Sequence, residues 1–176
     1  MEDPVWTAAR LAGAAAVVLL TASLVVGIGT GRGWRPRRVS WHAVEAVHRD
    51  TALAATVLTA IHVLGFLIVP GIGVRLLDVV VPFIGRVFPV WQGLGTLAVD
   101  ILLAVVVTSV LRRRVGRRAF RLVHLTTWAL WPIAIGHALG DGSAGTAPWF
   151  LITGGACTAA VVAAACVRWG TAPRRA

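Results

Sequence analysis

Charge is scarce in this sequence: only 14% of its 176 residues are Asp, Glu, Lys or Arg, while 57% are hydrophobic. A water-soluble domain needs more polar surface than that, whereas a bundle facing lipid needs almost none. The composition therefore excludes an ordinary soluble domain and points to a bilayer. Lysine and tyrosine are absent, methionine occurs once as Met1, and the two cysteines are Cys157 and Cys166. The missing lysine carries no mechanistic message, because the 17 arginines present in its place are what a GC-rich genome encodes. Cys157 and Cys166 fall on opposite sides of one apolar helix, so no disulfide between them is expected. Also missing is a Gly-rich dinucleotide fingerprint after a strand, since Gly27, Gly29, Gly31 and Gly33 end an apolar run and precede arginines.

The net charge of +10 would suggest nucleic acid in a soluble protein, but here the arginines sit in short clusters between apolar runs. That placement makes them topology signals, and nucleic-acid binding is not expected. Apolar stretches long enough to cross about 30 Å of hydrocarbon appear near 11–28, 44–69, 94–111, 120–139 and 149–167. The expected fold is all-α, an integral membrane bundle of five transmembrane helices. The first stretch is no signal peptide, because Glu2 and Asp3 lead it and its arginines follow. With the N-terminus outside and the C-terminus inside, fourteen arginines fall on the inner side and only Arg10, Arg75 and Arg86 on the outer side. Trp6, Trp34, Trp41, Trp91, Trp149 and Trp169 lie near helix ends, as interfacial anchors do. The 70–92 connection is expected to lie on or dip into the outer face. With no repeat and no linker, 1–176 reads as a single transmembrane domain.

Four histidines stand inside these spans, where ionisable side chains usually face a cavity, a partner or a cofactor. His48 and His62 lie fourteen residues apart on the second helix, and His124 and His137 thirteen apart on the fourth. At 1.5 Å per residue these separations are about 21 and 20 Å. The two helices run parallel, because one span intervenes, so His48 meets His124 at one level and His62 meets His137 at another. Each pair could supply both axial ligands of a six-coordinate haem, while Met and Tyr are unavailable as alternatives and the cysteines lie on a helix with no histidine. A helix-bridging hydrogen bond is the plainer reading of any one such histidine. On an ideal helix, fourteen residues bring His62 to within about 40° of His48, but thirteen leave His137 about 140° from His124. Pro132, between them, is a physical cause for a kink that re-aims one ring.

Paired histidines at these spacings, on helices separated by one, resemble the transmembrane domain of ferric reductases and NADPH oxidases. The stretch Trp91 to Gly140 is also similar to bacterial ferric-reductase-like membrane proteins, including the haem-binding subunit of the periplasmic methionine sulfoxide reductase system. The resemblance covers about 41–141 and implies that His48, His62, His124 and His137 ligate iron in two haems b. It departs from the family in showing five helices where six are usual. It also lacks the flavin and NADPH module of the eukaryotic members, so whether the chain alone is an enzyme is left open. The resemblance implies a diheme b-type cytochrome of a bacterial plasma (inner) membrane, moving electrons from a cytoplasmic-side donor to an outer acceptor. The donor would be a separate flavoprotein or the quinone pool, and the acceptor a redox protein or a small molecule such as ferric iron or oxygen. Two rivals remain at this point: a quinone-coupled cytochrome subunit of a larger redox complex, and a haem-free metal or proton transporter using the same histidines.

Arg49 and Arg121 begin the ligand-bearing helices and are candidates for the propionates of the inner haem, topology being the blander reading. Asp100 is expected to tune the outer haem, carry a proton, or sit in a hydrated vestibule near Arg75 or Arg86. Trp128, Trp131 and Phe66 are candidates for an aromatic path between levels, with packing as the alternative. His42 reads as interfacial.

Overall fold

The computed structural model describes residues 3–31, 39–140 and 147–170. Arg32, Arg35, Arg37, Arg38, Arg174, Arg175 and Trp34 lie outside the described residues. The described chain forms helices and no strands: α1 (Pro4–Thr30), α2 (Trp41–Ile68), α3 (Leu76–Val80), α4 (Pro89–Val110), α5 (Arg112–Leu125), α6 (Thr127–Gly140) and α7 (Pro148–Gly170). Five helical stretches are long and apolar enough to cross a bilayer, the fourth being α5 and α6 together. All five stand where hydropathy places them. The first four begin three to eight residues before their apolar runs and α7 one residue before, because turn chemistry starts a helix before hydrophobicity does. The Asp3 carboxylate accepts from the Val5 N–H at 2.7 Å with Pro4 behind it, and Ser40 Oγ accepts from the Ala43 N–H at 3.2 Å.

α1 is the central helix. It packs along the length of α2 and also against α6 and α7, through a face of small residues that includes Ala9, Ala12 and Ala16. A Cβ on Gly65 of α2 would fall 2.6 Å from the Cβ of Ala9, so the two helices approach as closely as a glycine allows. α2 packs chiefly on α1 and buries a single residue, Ala55. A cavity opens between α2 and α6, with Thr59 and Val63 on one side and Leu130 and Ala134 on the other.

Residues 69–88 hold no helix long and apolar enough to cross a membrane. They carry the single turn α3, which packs on α4 and is fixed there by the Thr96 hydroxyl donating to the Asp78 carbonyl at 2.6 Å. The Asp78 side chain turns back onto Arg75, accepting from its backbone N–H and its guanidinium, and is almost wholly buried. Those hydrogen bonds hold the Asp78 carboxyl below its ordinary range and raise the Arg75 guanidinium above its own. Arg75 is therefore the partner of Asp78 rather than of Asp100.

Candidate haem-binding site

The helix carrying His124 and His137 is broken in a way the proline alone does not explain. α5 stops at Thr126, whose backbone N–H and hydroxyl both bond to the Val123 carbonyl, at 3.0 and 2.6 Å, while the Thr127 hydroxyl takes the His124 carbonyl at 2.7 Å. Hydroxyls that capture the carbonyls of the preceding turn bend a helix, and Pro132 adds a second interruption in α6. The break falls two residues after His124. It removes the angular mismatch of an unbroken helix, and both imidazoles face α2.

The four histidines meet as two pairs. The His48 and His124 ring centres are 6.0 Å apart with planes at 71°, and those of His62 and His137 are 6.1 Å apart at 81°. Two metal–nitrogen bonds of about 2 Å, plus roughly 1.1 Å from each nitrogen to its ring centre, put the centres of two imidazoles about 6 Å apart across one metal ion. Both pairs match that separation.

Three of the four rings are locked by one repeated device. His62 Nδ1 lies 2.9 Å from the Ala9 carbonyl, His48 Nδ1 2.9 Å from the Ser23 carbonyl, and His137 Nδ1 2.8 Å from the Trp91 carbonyl. A carbonyl can only accept, so each Nδ1–H donates to it, and Nε2 is the nitrogen left to face a metal. Four residues beyond each of these carbonyls stands a glycine. A Cβ on Gly13 would meet His62 Nδ1 at 2.5 Å, one on Gly27 would meet His48 Cε1 at 3.2 Å, and one on Gly95 would meet His137 Cε1 at 2.8 Å. The glycines leave the space through which each ring reaches helix backbone. Nothing in their composition marks these glycines, although Gly13 and Gly27 repeat the fourteen-residue interval of His48 and His62. An imidazole so bound is the usual state of a metal-ligating histidine, its second nitrogen fixed and its first made more basic.

A cavity of about 350 Å³ opens at the His62–His137 level, lined by Arg10, Gly13, Gly95, Phe88 and Trp149 among others. Arg10 stacks over Trp6 at 4.1 Å and is the arginine of this lining. At the other level Arg49 and Arg121 are exposed, and Arg49 pairs with Asp50 at 3.0 Å. Between the levels the core is aliphatic: Ala98, Leu102 and Leu130, with Leu20 packed against them. The tryptophans expected as a possible path face elsewhere. Trp131 donates to the Thr21 hydroxyl at 2.8 Å and packs on Cys157 and Val161 of α7, and Trp128 stacks on Trp169. Phe66 meets the edge of His62 at 5.0 Å and so contacts one ring only. Both cysteines are free, Cys157 buried and Cys166 exposed, and His42 is exposed at the start of α2.

Among the described residues no three His, Cys, Asp or Glu side chains converge, as a metal site built from protein alone would require. Each pair offers two nitrogens, the number sought by an iron already held in a macrocycle. The residues present thus offer the ligand set of a haem at each level, with a cavity beside it at the His62–His137 level. The family model for the ferric reductase like transmembrane component matches residues 12–135. The match begins in α1, a helix earlier than the resemblance in sequence reached, and ends two residues short of His137. No curated protein and no solved structure matches the chain.

Proposed function

The chain belongs to the ferric reductase-like transmembrane family, and we propose that it is a diheme b-type cytochrome carrying electrons across a bacterial plasma membrane. The observation that supports this most is the double facing pair, His48 with His124 and His62 with His137, each at the separation that one iron imposes. A haem at each level supplies a one-electron ferric/ferrous couple.

The protein's own part is to hold and to insulate. His48, His62 and His137 present Nε2 from rings fixed by backbone carbonyls, so their approach to iron costs little reorganisation. Two histidines facing each site would leave a haem held there no position for substrate, which suits an electron carrier. Arg10 supplies positive charge to the cavity at the His62–His137 level, where it would meet a propionate. Arg49 and Arg121 are the candidates at the other level, Arg49 by exchanging Asp50 for a propionate. The 69–88 segment lines the cavity through Ile72, Val74 and Val79 and narrows the access of water.

The arginine-rich end, with Arg112 to Arg121 and Arg168, faces the cytoplasm. The His48–His124 level is then loaded from a separate flavoprotein or the quinone pool, and the His62–His137 level delivers to an outer redox protein or small acceptor. The whole chain, 1–176, acts as one transmembrane domain. Proteoliposomes with ferricyanide inside and dithionite outside test the reading. Haem-loaded protein should reduce the enclosed ferricyanide many-fold faster than empty vesicles do, and equal rates would refute it.

A further inference from the structure

The lock on the histidines has a gap. His124 Nδ1 is buried and makes no hydrogen bond, while the other three rings each reach a helix carbonyl. Its ring has ring contacts alone, stacking on Phe120 with centres 5.1 Å apart and planes at 28° and facing His48 at 6.0 Å. The register of α4 differs from that of α1 in a way that matches this gap. On α1 the carbonyl-and-glycine steps fall at Ala9 with Gly13 and, fourteen residues on, at Ser23 with Gly27. On α4 the first step is Trp91 with Gly95, and fourteen residues on stand Val105 and Ser109. Where a glycine would leave the carbonyl open, the Ser109 hydroxyl takes the Val105 carbonyl at 2.6 Å, and the Thr108 hydroxyl shares it at 3.2 Å.

The segment bearing His124 is also the least anchored. α5 buries none of its residues, is interrupted at Gly116 where φ is 79°, and ends two residues past the ligand at Thr126. An imidazole whose Nδ1–H donates to a carbonyl is the better electron donor at Nε2. His124, lacking both that bond and a fixed helix, is the weakest of the four donors.

We propose that the His124 position is the one axial site of the protein that opens to an exogenous iron ligand, of the small neutral π-acceptor class. The inference rests on the diheme reading. Exchange breaks the bond between iron and His124 Nε2 and forms one between iron and the incoming donor atom, with no change in electron count. His48 stays in place on the other face, held by Ser23.

Carbon monoxide, added to the dithionite-reduced, haem-loaded full-length protein, is the probe. The expected result is one CO per chain, on one of two haems, read from the Soret shift. The adduct should persist in His62→Ala, which keeps the haem at the arginine-rich level, and vanish in His48→Ala. A Ser109→Gly, Thr108→Val double variant frees the Val105 carbonyl and should cut CO binding at least several-fold without changing haem content. No CO on a protein holding two haems, CO on both haems, an adduct that follows His62 instead of His48, or undiminished binding in the double variant would each overturn the proposal. Fewer than two haems before CO is added is a different failure, that of the diheme reading itself.

Discussion

Replacing His62 with alanine is expected to lower bound haem from two per chain to one, read as a pyridine haemochrome against protein concentration. On the diheme reading His62 supplies half the ligand set at its level, and its partner His137 faces it at 6.1 Å between ring centres, the separation that one bridging metal ion requires. With one ligand gone, iron there is left with a single imidazole, and an alanine in the cavity wall neither binds iron nor fills the space. The other level is served by His48 and His124, some 20 Å away on the helix rise, and should keep its low-spin spectrum. Transfer across vesicles should stop, because an electron would then have to cross that distance without an intermediate carrier. The control is His42→Ala: this exposed ring at the start of α2 should change neither haem content nor rate. Two haems remaining in His62→Ala would remove that residue from the ligand set.

The second large effect is expected from residues with no side chain to lose. Gly13→Ala places a methyl 2.5 Å from His62 Nδ1, and Gly95→Ala places one 2.8 Å from His137 Cε1. Both are closer than nonbonded atoms approach, so the ring must retreat from its carbonyl, losing a hydrogen bond worth about 1 kcal/mol and its aim at iron. Either substitution should therefore deplete the haem at the His62–His137 level, by at least half. Gly27→Ala, at 3.2 Å from His48 Cε1, demands a shift of only tenths of an ångström and should retain most haem. Gly155→Ala meets nothing within 4 Å and should be neutral, or stabilising by up to about 1 kcal/mol as alanine replaces glycine within a helix. The ranking is the test: haem content of Gly13→Ala indistinguishable from that of Gly155→Ala would show that the approach of His62 to α1 does not matter.

The spans and the histidine levels were legible in the sequence for the same reason, that helix rise is nearly constant. Hydropathy located five apolar runs, and intervals of fourteen and thirteen residues located two levels. What rise does not encode is direction. The thirteen-residue interval left His124 and His137 facing apart, and the correction came mainly from Thr126 and Thr127, whose hydroxyls compete for helix carbonyls. Pro132 was visible beforehand, but a threonine pair reads as ordinary helix until its hydroxyl partners are seen. The role of α1 was hidden in another way. Gly13 and Gly27 are indistinguishable in composition from the alanines around them, and only contact with His62 and His48 gives them meaning. In the sequence Arg10 is one of three arginines on the sparsely charged side, yet it lines the cavity. The aromatic path failed because Trp128 and Trp131 lie at the right height but turn away from the histidines, Trp131 onto Thr21 of α1 and Cys157 of α7 and Trp128 onto Trp169 of α7.

The most direct test of the central claim is a haem count with oxidised and reduced absorption spectra of the detergent-purified full-length protein, expressed with ample haem. The account predicts two haems b per chain, both low-spin, as bis-histidine coordination of each iron requires. A colourless protein, or one haem per chain with a high-spin spectrum, would contradict it.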